Sequence, residues 1–236
     1  MLEAIKAVAR EAGDLILSAE NREKDVTEKS FAFDLVTDYD KAVQKLVEQR
    51  LHTVLPEASF LGEEDVAAPY GSGEEYCFVI DPIDGTTNFI KNLHMSCVSI
   101  GLAKGGKMEY GVVYNPYTKE LFCAQRGKGA FLNDKPLQIS ERKTTKPVSI
   151  MGMSPYYRER FQKDTFSLMQ TLFSCSVDVR VTGSAALDFC FVAAGRAEMF
   201  AEFCLSLIHI SLGGIRAGFK APFRCTQCQL DRFDCG

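Results

Sequence analysis

Apolar residues near the start of the chain recur every three or four positions: Leu2, Ile5, Val8, Ala9, Ala12, Leu15, Ile16 and Ala19. That period predicts an amphipathic helix over residues 2–20, running through Gly13, whose role is packing. After a polar stretch to Ser30, Ala42, Val43, Leu46, Val47 and Leu51 repeat the period in a second helix that Pro56 stops. Thr37 and Asp40 stand in capping-box spacing before it, with Asp in the place of the usual Glu or Gln, and a structural role suffices for Asp40 taken alone. From Cys97 to Ser140 the period shortens to alternation, with turn signals at Gly105-Gly106, Asn115-Pro116 and Asn133-Asp134. An antiparallel meander of CVSIGLA, KMEYGVVY, ELFCAQ and GAFLN follows from it. Beyond a polar connector at 141–147, VSIMGM and VDVRV read as strands around a helix over 156–173, with Phe161, Leu168, Met169 and Leu172 inward. TGSAALDFCFVAAG then opens a helix at Thr182, Gly183 or Ser184 and closes it at Gly195, before a last strand, AEMFAEF.

One stretch departs from these packing patterns. In YCFVIDPIDGTTNFI, residues 76–90, a short apolar strand is predicted to end at Asp81 and Pro82; Asp84-Gly85 form a turn, and Thr86, Thr87 and Asn88 are residues that cap a helix. Two carboxylates three residues apart thus lie beside N–H groups that open a helix. Such N–H groups attract phosphate, whereas Asp81 and Asp84 repel it, and unit charges about 4 Å apart interact by about 4 kcal/mol at an effective dielectric near 20. A hard divalent cation between the carboxylates removes the conflict, and oxygen-only ligands select magnesium or a similar ion over zinc.

Composition narrows the setting. With 236 residues, 46% hydrophobic and 25% charged, the chain can bury a full core as one large domain or two tightly packed halves. A formal charge of −4 and a pI near 5.5 argue against non-specific nucleic-acid or acidic-membrane binding, so phosphate affinity must come from local chemistry. The charged N-terminus has no apolar run of signal or membrane-span length, which predicts a cytoplasmic protein. Nine cysteines, mostly inside apolar segments (Cys77, Cys97, Cys123, Cys190), imply reduced thiols and no disulfide framework. GLAKGGK at 101–107 has the spacing of a phosphate-binding loop, but Met108 and a following strand replace the Ser or Thr and the helix that such a loop needs.

DPIDGTTNF, residues 81–89, closely resembles the signature of the inositol monophosphatase family of magnesium-dependent, lithium-sensitive phosphomonoesterases. SFLGEED at 59–65 and RGKGAF at 126–131 extend the resemblance, which runs from about Ala4 to Ser206. It implies an α+β fold, a layered αβαβα sandwich, in a domain over 1–206 with halves at about 1–140 and 148–206. It also implies that Glu63, Asp81 and the Ile83 carbonyl hold a first magnesium and Asp81 with Asp84 a second, with Glu64 supporting Glu63. The Gly85 and Thr86 N–H groups would cradle the phosphate, while Gly183, Ser184, Ala185 and Glu202 would line the sugar pocket. Glu63 and Thr86 would orient the attacking water, and Asp40 would hydrogen-bond Thr86. The implied reaction is hydrolysis of a small phosphorylated polyol or sugar, with inositol 1-phosphate as the leading substrate, by a homodimer.

The resemblance ends where family members carry a Trp-Asp pair whose Asp ligates metal. This chain has no Trp, and counting from Glu202 the expected Asp falls on His209. Residues 207–236 form a divergent tail whose Cys225 and Cys228 lack the second pair of a zinc site, and a break in the reading frame near residue 204 would account for it. Two alternatives follow: a catalytically impaired chain that at most binds metal and phosphate, or a related sugar or nucleotide phosphatase of the same superfamily.

Overall fold

The computed structural model describes residues 1–20, 22, 24–28, 35–63, 75–137, 147–153 and 158–203. Glu64, most of the polar connector at 141–147, and the tail with His209, Cys225 and Cys228 lie outside the described residues. The first periodic segment is helix α1 (Leu2–Ser18), with Ile5, Val8, Ala9, Ala12 and Ile16 buried. Gly13 sits within it because a Cβ there would come within 2.5 Å of the Tyr114 ring, so the small residue lets the helix lie close to the sheet. Strands β1 (Val26–Glu28) and β2 (Leu35–Thr37) form an antiparallel pair ahead of helix α2 (Asp38–Val54). The Thr37/Asp40 capping box is formed in both directions.

Strands β3 (Ser59–Gly62), β4 (Tyr76–Asp84), β5 (Cys97–Lys104), β6 (Lys107–Asn115), β7 (Glu120–Gln125), β8 (Gly129–Leu132) and β9 (Lys135–Pro136) lie side by side in that order. The β3/β4 pair is parallel and the rest is the antiparallel meander. One face of this sheet presents Phe78, Ile80, Ile83, Ile100, Val112 and Leu121 to α1 and α2. A short helix α3 (Thr86–Ile90) links β4 to β5. The other face carries Cys97, Val113, Phe122 and Ala124 against Ala186, Leu187 and Cys190 of helix α5 (Ala185–Ala193).

A second sheet is built from β10 (Val148–Met151), β11 (Asp178–Arg180) and β12 (Met199–Ala201), all parallel, in the order β11-β10-β12. Helix α4 (Arg158–Cys175) connects β10 to β11, and α5 connects β11 to β12. The two crossovers step across the sheet in opposite directions, so crossovers of the usual right hand put α4 and α5 on opposite faces. Helix α5 is then covered on both sides, by the large sheet and by Ile150 and Phe200 of the small one with Ala197 just ahead of β12. Its apolar sequence, AALDFCFVA, reflects this double burial. The layers run α1/α2, large sheet, α5, small sheet, α4, which is the αβαβα sandwich that the resemblance implied.

The Phe78 side chain is fully buried under α2 and stacks on Phe60 at a centroid distance of 5.5 Å. Phe78→Ala should destabilise the protein by about 3–5 kcal/mol, read as a fall in the urea midpoint at unchanged slope.

Candidate active site

The expected end of β4 at Asp81-Pro82 is not where the strand stops. It continues to Asp84, and its register against β5 shifts between Asp81, paired with Ser99, and Asp84, paired with Cys97. Three steps on β4 thus oppose two on β5, the signature of a bulge with one extra residue. Pro82, which has no N–H for the ladder, sits in that irregular stretch. Side chains alternate along a regular strand, so Asp81 and Asp84 would project from opposite faces. The extra residue brings them to one face, that of Cys97 and Ser99, and returns Ile83 to the core under α1 and α2.

Glu63 follows β3, the parallel neighbour of β4, and its N–H donates to the Ile80 carbonyl at 3.1 Å. This places its side chain beside Asp81, and the two carboxyl groups are hydrogen-bonded. Asp40 reaches both Thr37 and Thr86. Its Oδ2 accepts from the Thr37 N–H at 2.7 Å and the Thr37 hydroxyl at 2.6 Å, which is the helix cap. Its Oδ1 faces the Thr86 hydroxyl at 3.4 Å. That hydroxyl also lies 3.1 Å from the Ile83 carbonyl, and with one proton it shares its donation between the two.

Helix α3 begins one residue earlier than the Thr-Thr-Asn signal suggested. Its cap is Gly85, at φ +86°, with no side-chain cap. A Cβ at Gly85 would lie 2.9 Å from the Met95 carbonyl and 3.1 Å from that of Gly183, so conformation and space both require glycine. This contact joins the DPIDG turn to the start of α5. There Ser184 caps the helix, and its hydroxyl donates to Asp84 Oδ2 at 2.6 Å. The Ala186 N–H donates to the same oxygen, also at 2.6 Å, and the Cys97 thiol is 3.8 Å from it. The helix N-terminus thereby stabilises a buried Asp84 carboxylate.

Asp81, 2% exposed, is buried among other acids. Burial pushes its carboxyl well above the usual carboxylate range; the charges of Glu63 and Asp84, the hydrogen bond to Glu63 and the charge of Asp40 add to the shift. Among the described residues no three His, Cys, Asp or Glu side chains converge closely enough to hold an ion as they stand. The donors nevertheless fit a hard cation: they are oxygens, gathered at one strand end, and an ion that replaced the proton between Glu63 and Asp81 would relieve the repulsion that raises Asp81. The thiols nearby are no rival ligands, because burial and the Asp84 charge push Cys97 well above its ordinary value and hold it neutral.

Glu63, Asp81, Asp84, Asp40 and Thr86 thus come together with the Ile83 carbonyl and Gly85, and Gly183, Ser184 and Ala185 join them through the start of α5. Glu202 follows β12, its carboxylate filling the space that a Cβ on Gly152 would need and its charge reaching Asp188. Sequence reasoning missed Asp188. It is 1% exposed, and burial pushes its carboxyl up to about 7, offset in part by a hydrogen bond from Thr182 and reinforced by the charges of Asp84 and Glu202. The available signal was a single acid in an otherwise apolar helix. Asn88 was also missed as a tie: its Nδ2 donates to the Met95 and Thr182 carbonyls, each at 2.8 Å.

Comparison with known proteins places this five-layer α/β sandwich, with its carboxylates at a strand end beside a helix start, among the phosphatases. The description "Inositol monophosphatase family" matches residues 1–208. The chain is 36% identical over 212 residues to inositol monophosphatase 1 of Homo sapiens, spanning 88% of this chain and 76% of that protein. It is 35% identical over 216 residues to Nus factor SuhB of Pasteurella multocida, spanning 91% and 80%. The crystal structure of the suppressor protein suhB from Bartonella henselae superposes with a TM-score of 0.83 at 32% identity, covering 92% of this chain and 84% of that one. The chain belongs to the inositol monophosphatase family.

Two outcomes follow from the site's electrostatics. In metal-free protein, Asp81→Asn should raise the melting temperature by a few degrees, because it removes a buried acid held among other acids; an unchanged or lower Tm would contradict the arrangement. Asp188 titrates near 4 when unfolded and at about 7 when folded, so its favourable contribution is complete below pH 4 and is lost as pH rises towards 7. With EDTA present, the stability difference between the unaltered protein and Asp188→Asn should therefore shift by on the order of 4 kcal/mol between pH 4 and 8, in favour of the variant.

Proposed function

We propose that the protein hydrolyses a small phosphate monoester with magnesium, inositol 1-phosphate being the leading substrate. The observation that supports this most is the β4 bulge, which turns Asp81 and Asp84 to one face within reach of Glu63. Glu63, Asp81 and the Ile83 carbonyl would hold one magnesium, and Asp81 with Asp84 a second. Bound there, magnesium supplies positive charge for the phosphate dianion and lowers the pKa of the attacking water.

The chain's own groups divide the remaining work. The Gly85 and Thr86 N–H groups face the phosphate, and the Thr86 hydroxyl, its proton shared between Asp40 and the Ile83 carbonyl, keeps an oxygen lone pair to accept from the water. Glu63 accepts the second hydrogen of that water and takes up its proton as the new oxygen–phosphorus bond forms, and that proton is returned through solvent to the alcohol oxygen as its bond to phosphorus breaks. Gly183, Ser184 and Ala185 border the sugar side, with Glu202 as the acceptor for a sugar hydroxyl. In this reading the protein acts as a cytoplasmic homodimer on a free small molecule, independent of nucleic acid and membrane. Among the described residues no helix is long and apolar enough to cross a membrane.

His209 stands where the resemblance expects a further metal-ligating Asp, and this favours a second reading in which cation and phosphate bind but turnover is impaired. One assay separates the two. Phosphate release is measured with magnesium on inositol 1-phosphate, fructose bisphosphate, histidinol phosphate and a phosphonucleotide, then with lithium added. Hydrolysis of inositol 1-phosphate that lithium suppresses supports the first reading, and Glu63→Gln should then lower kcat by about 10²- to 10⁴-fold. Phosphate binding without release on any ester supports the second.

A further inference from the structure

We propose that Asp188 is a positioning residue that sets the Asp84 carboxylate for a divalent cation, acting through Thr182 and Ser184. The inference rests on the cation site proposed above. Ser184 and Asp188 are four apart across the first turn of α5 and therefore share a face, on a helix otherwise composed of apolar residues. Asp188 Oδ1 accepts from the Thr182 hydroxyl, and its Oδ2 has no hydrogen-bond partner among the described residues. A carboxyl buried there for packing alone would be costly.

What Asp188 holds explains its place. Thr182 is fixed at both ends: its carbonyl accepts from Asn88 at 2.8 Å and its hydroxyl is committed to Asp188. The same hydroxyl oxygen accepts from the Ser184 N–H at 3.4 Å. Between these anchors Gly183 turns at φ +82°, with its Cβ direction closed by the Asn88 side chain at 3.2 Å. A turn pinned in this way leaves the Ser184 hydroxyl and the Ala186 N–H one direction to point, and both meet Asp84 Oδ2 at 2.6 Å. Fixing one oxygen by two donors fixes the plane of the carboxylate, and with it the direction in which Oδ1 is offered. The path Asp188–Thr182–Ser184–Asp84 thus carries the orientation of α5 to the cation site without Asp188 touching an ion.

The test is a titration of the full chain with Mn²⁺, followed by electron paramagnetic resonance and calorimetry, for the unaltered protein and for Asp188→Ala, Asp188→Asn, Thr182→Val and Asp81→Asn. Asp188→Ala and Thr182→Val should each weaken Mn²⁺ binding by about tenfold or more. Asp188→Asn, whose amide oxygen still accepts from Thr182, should stay within about twofold. In turnover, the Mg²⁺ concentration for half-activation should rise for the first two variants while KM for the ester at saturating Mg²⁺ holds. If Asp188→Ala does not fold, Thr182→Val decides. Unchanged Mn²⁺ affinity in Thr182→Val, or a loss in Asp188→Asn as large as in Asp188→Ala, overturns the positioning role and leaves the cation site standing. Absence of Mn²⁺ binding that is sensitive to Asp81→Asn in the unaltered protein removes both.

Discussion

A single extra residue in β4 controls the geometry of the site. Without the shift between the Asp81–Ser99 and Asp84–Cys97 pairs, strand alternation would send the two carboxylates to opposite faces and move Ile83 out of the core. With it, the hydrophobic register under α1 and α2 is kept on both sides of the irregularity while two acids gather on the opposite face. Packing and chemistry are satisfied by the same defect. Pro82 suits that place, since a residue without an N–H costs least where the ladder is already interrupted.

The gathered acids are compensated unequally. Asp84 is served by the Ser184 hydroxyl and the Ala186 N–H at the start of α5, so its buried charge has partners. Asp81 lies among Glu63, Asp84 and Asp40, and burial with those charges pushes its carboxyl well above the usual carboxylate range. A cation among these acids would add attraction where a proton only removes repulsion.

Helix α5 gives the two sheets a common reference. It is packed between them, its first turn reaches Asp84 through Ser184 and Ala186, and its interior holds Asp188. Gly85 completes the join, because the absent side chain lets the turn after β4 come against Gly183 and Ser184. The end of β4 and the turn before α5 are therefore parts of one packed unit, held by backbone contacts as well as by side chains.

Periodicity located α1, α2 and the meander, because each buries a face whose spacing follows directly from the geometry of a helix or strand, while cap residues and glycines marked α3 and α5. The string DPIDGTTNF pointed to the inositol monophosphatase family, and Asp40 was legible as a cap from its spacing to Thr37. Which way those acids point was not legible. The bulge depends on pairing with β5, more than ten residues on, and the donors to Asp84 come from residues about a hundred positions away. Asp188 was hidden for the same reason: nothing in its local sequence distinguishes a stray acid from one that fastens a turn, and only packing against Thr182 does. Local spacing fixes what each segment can be, while the direction of a buried carboxylate is set by partners that folding alone brings near.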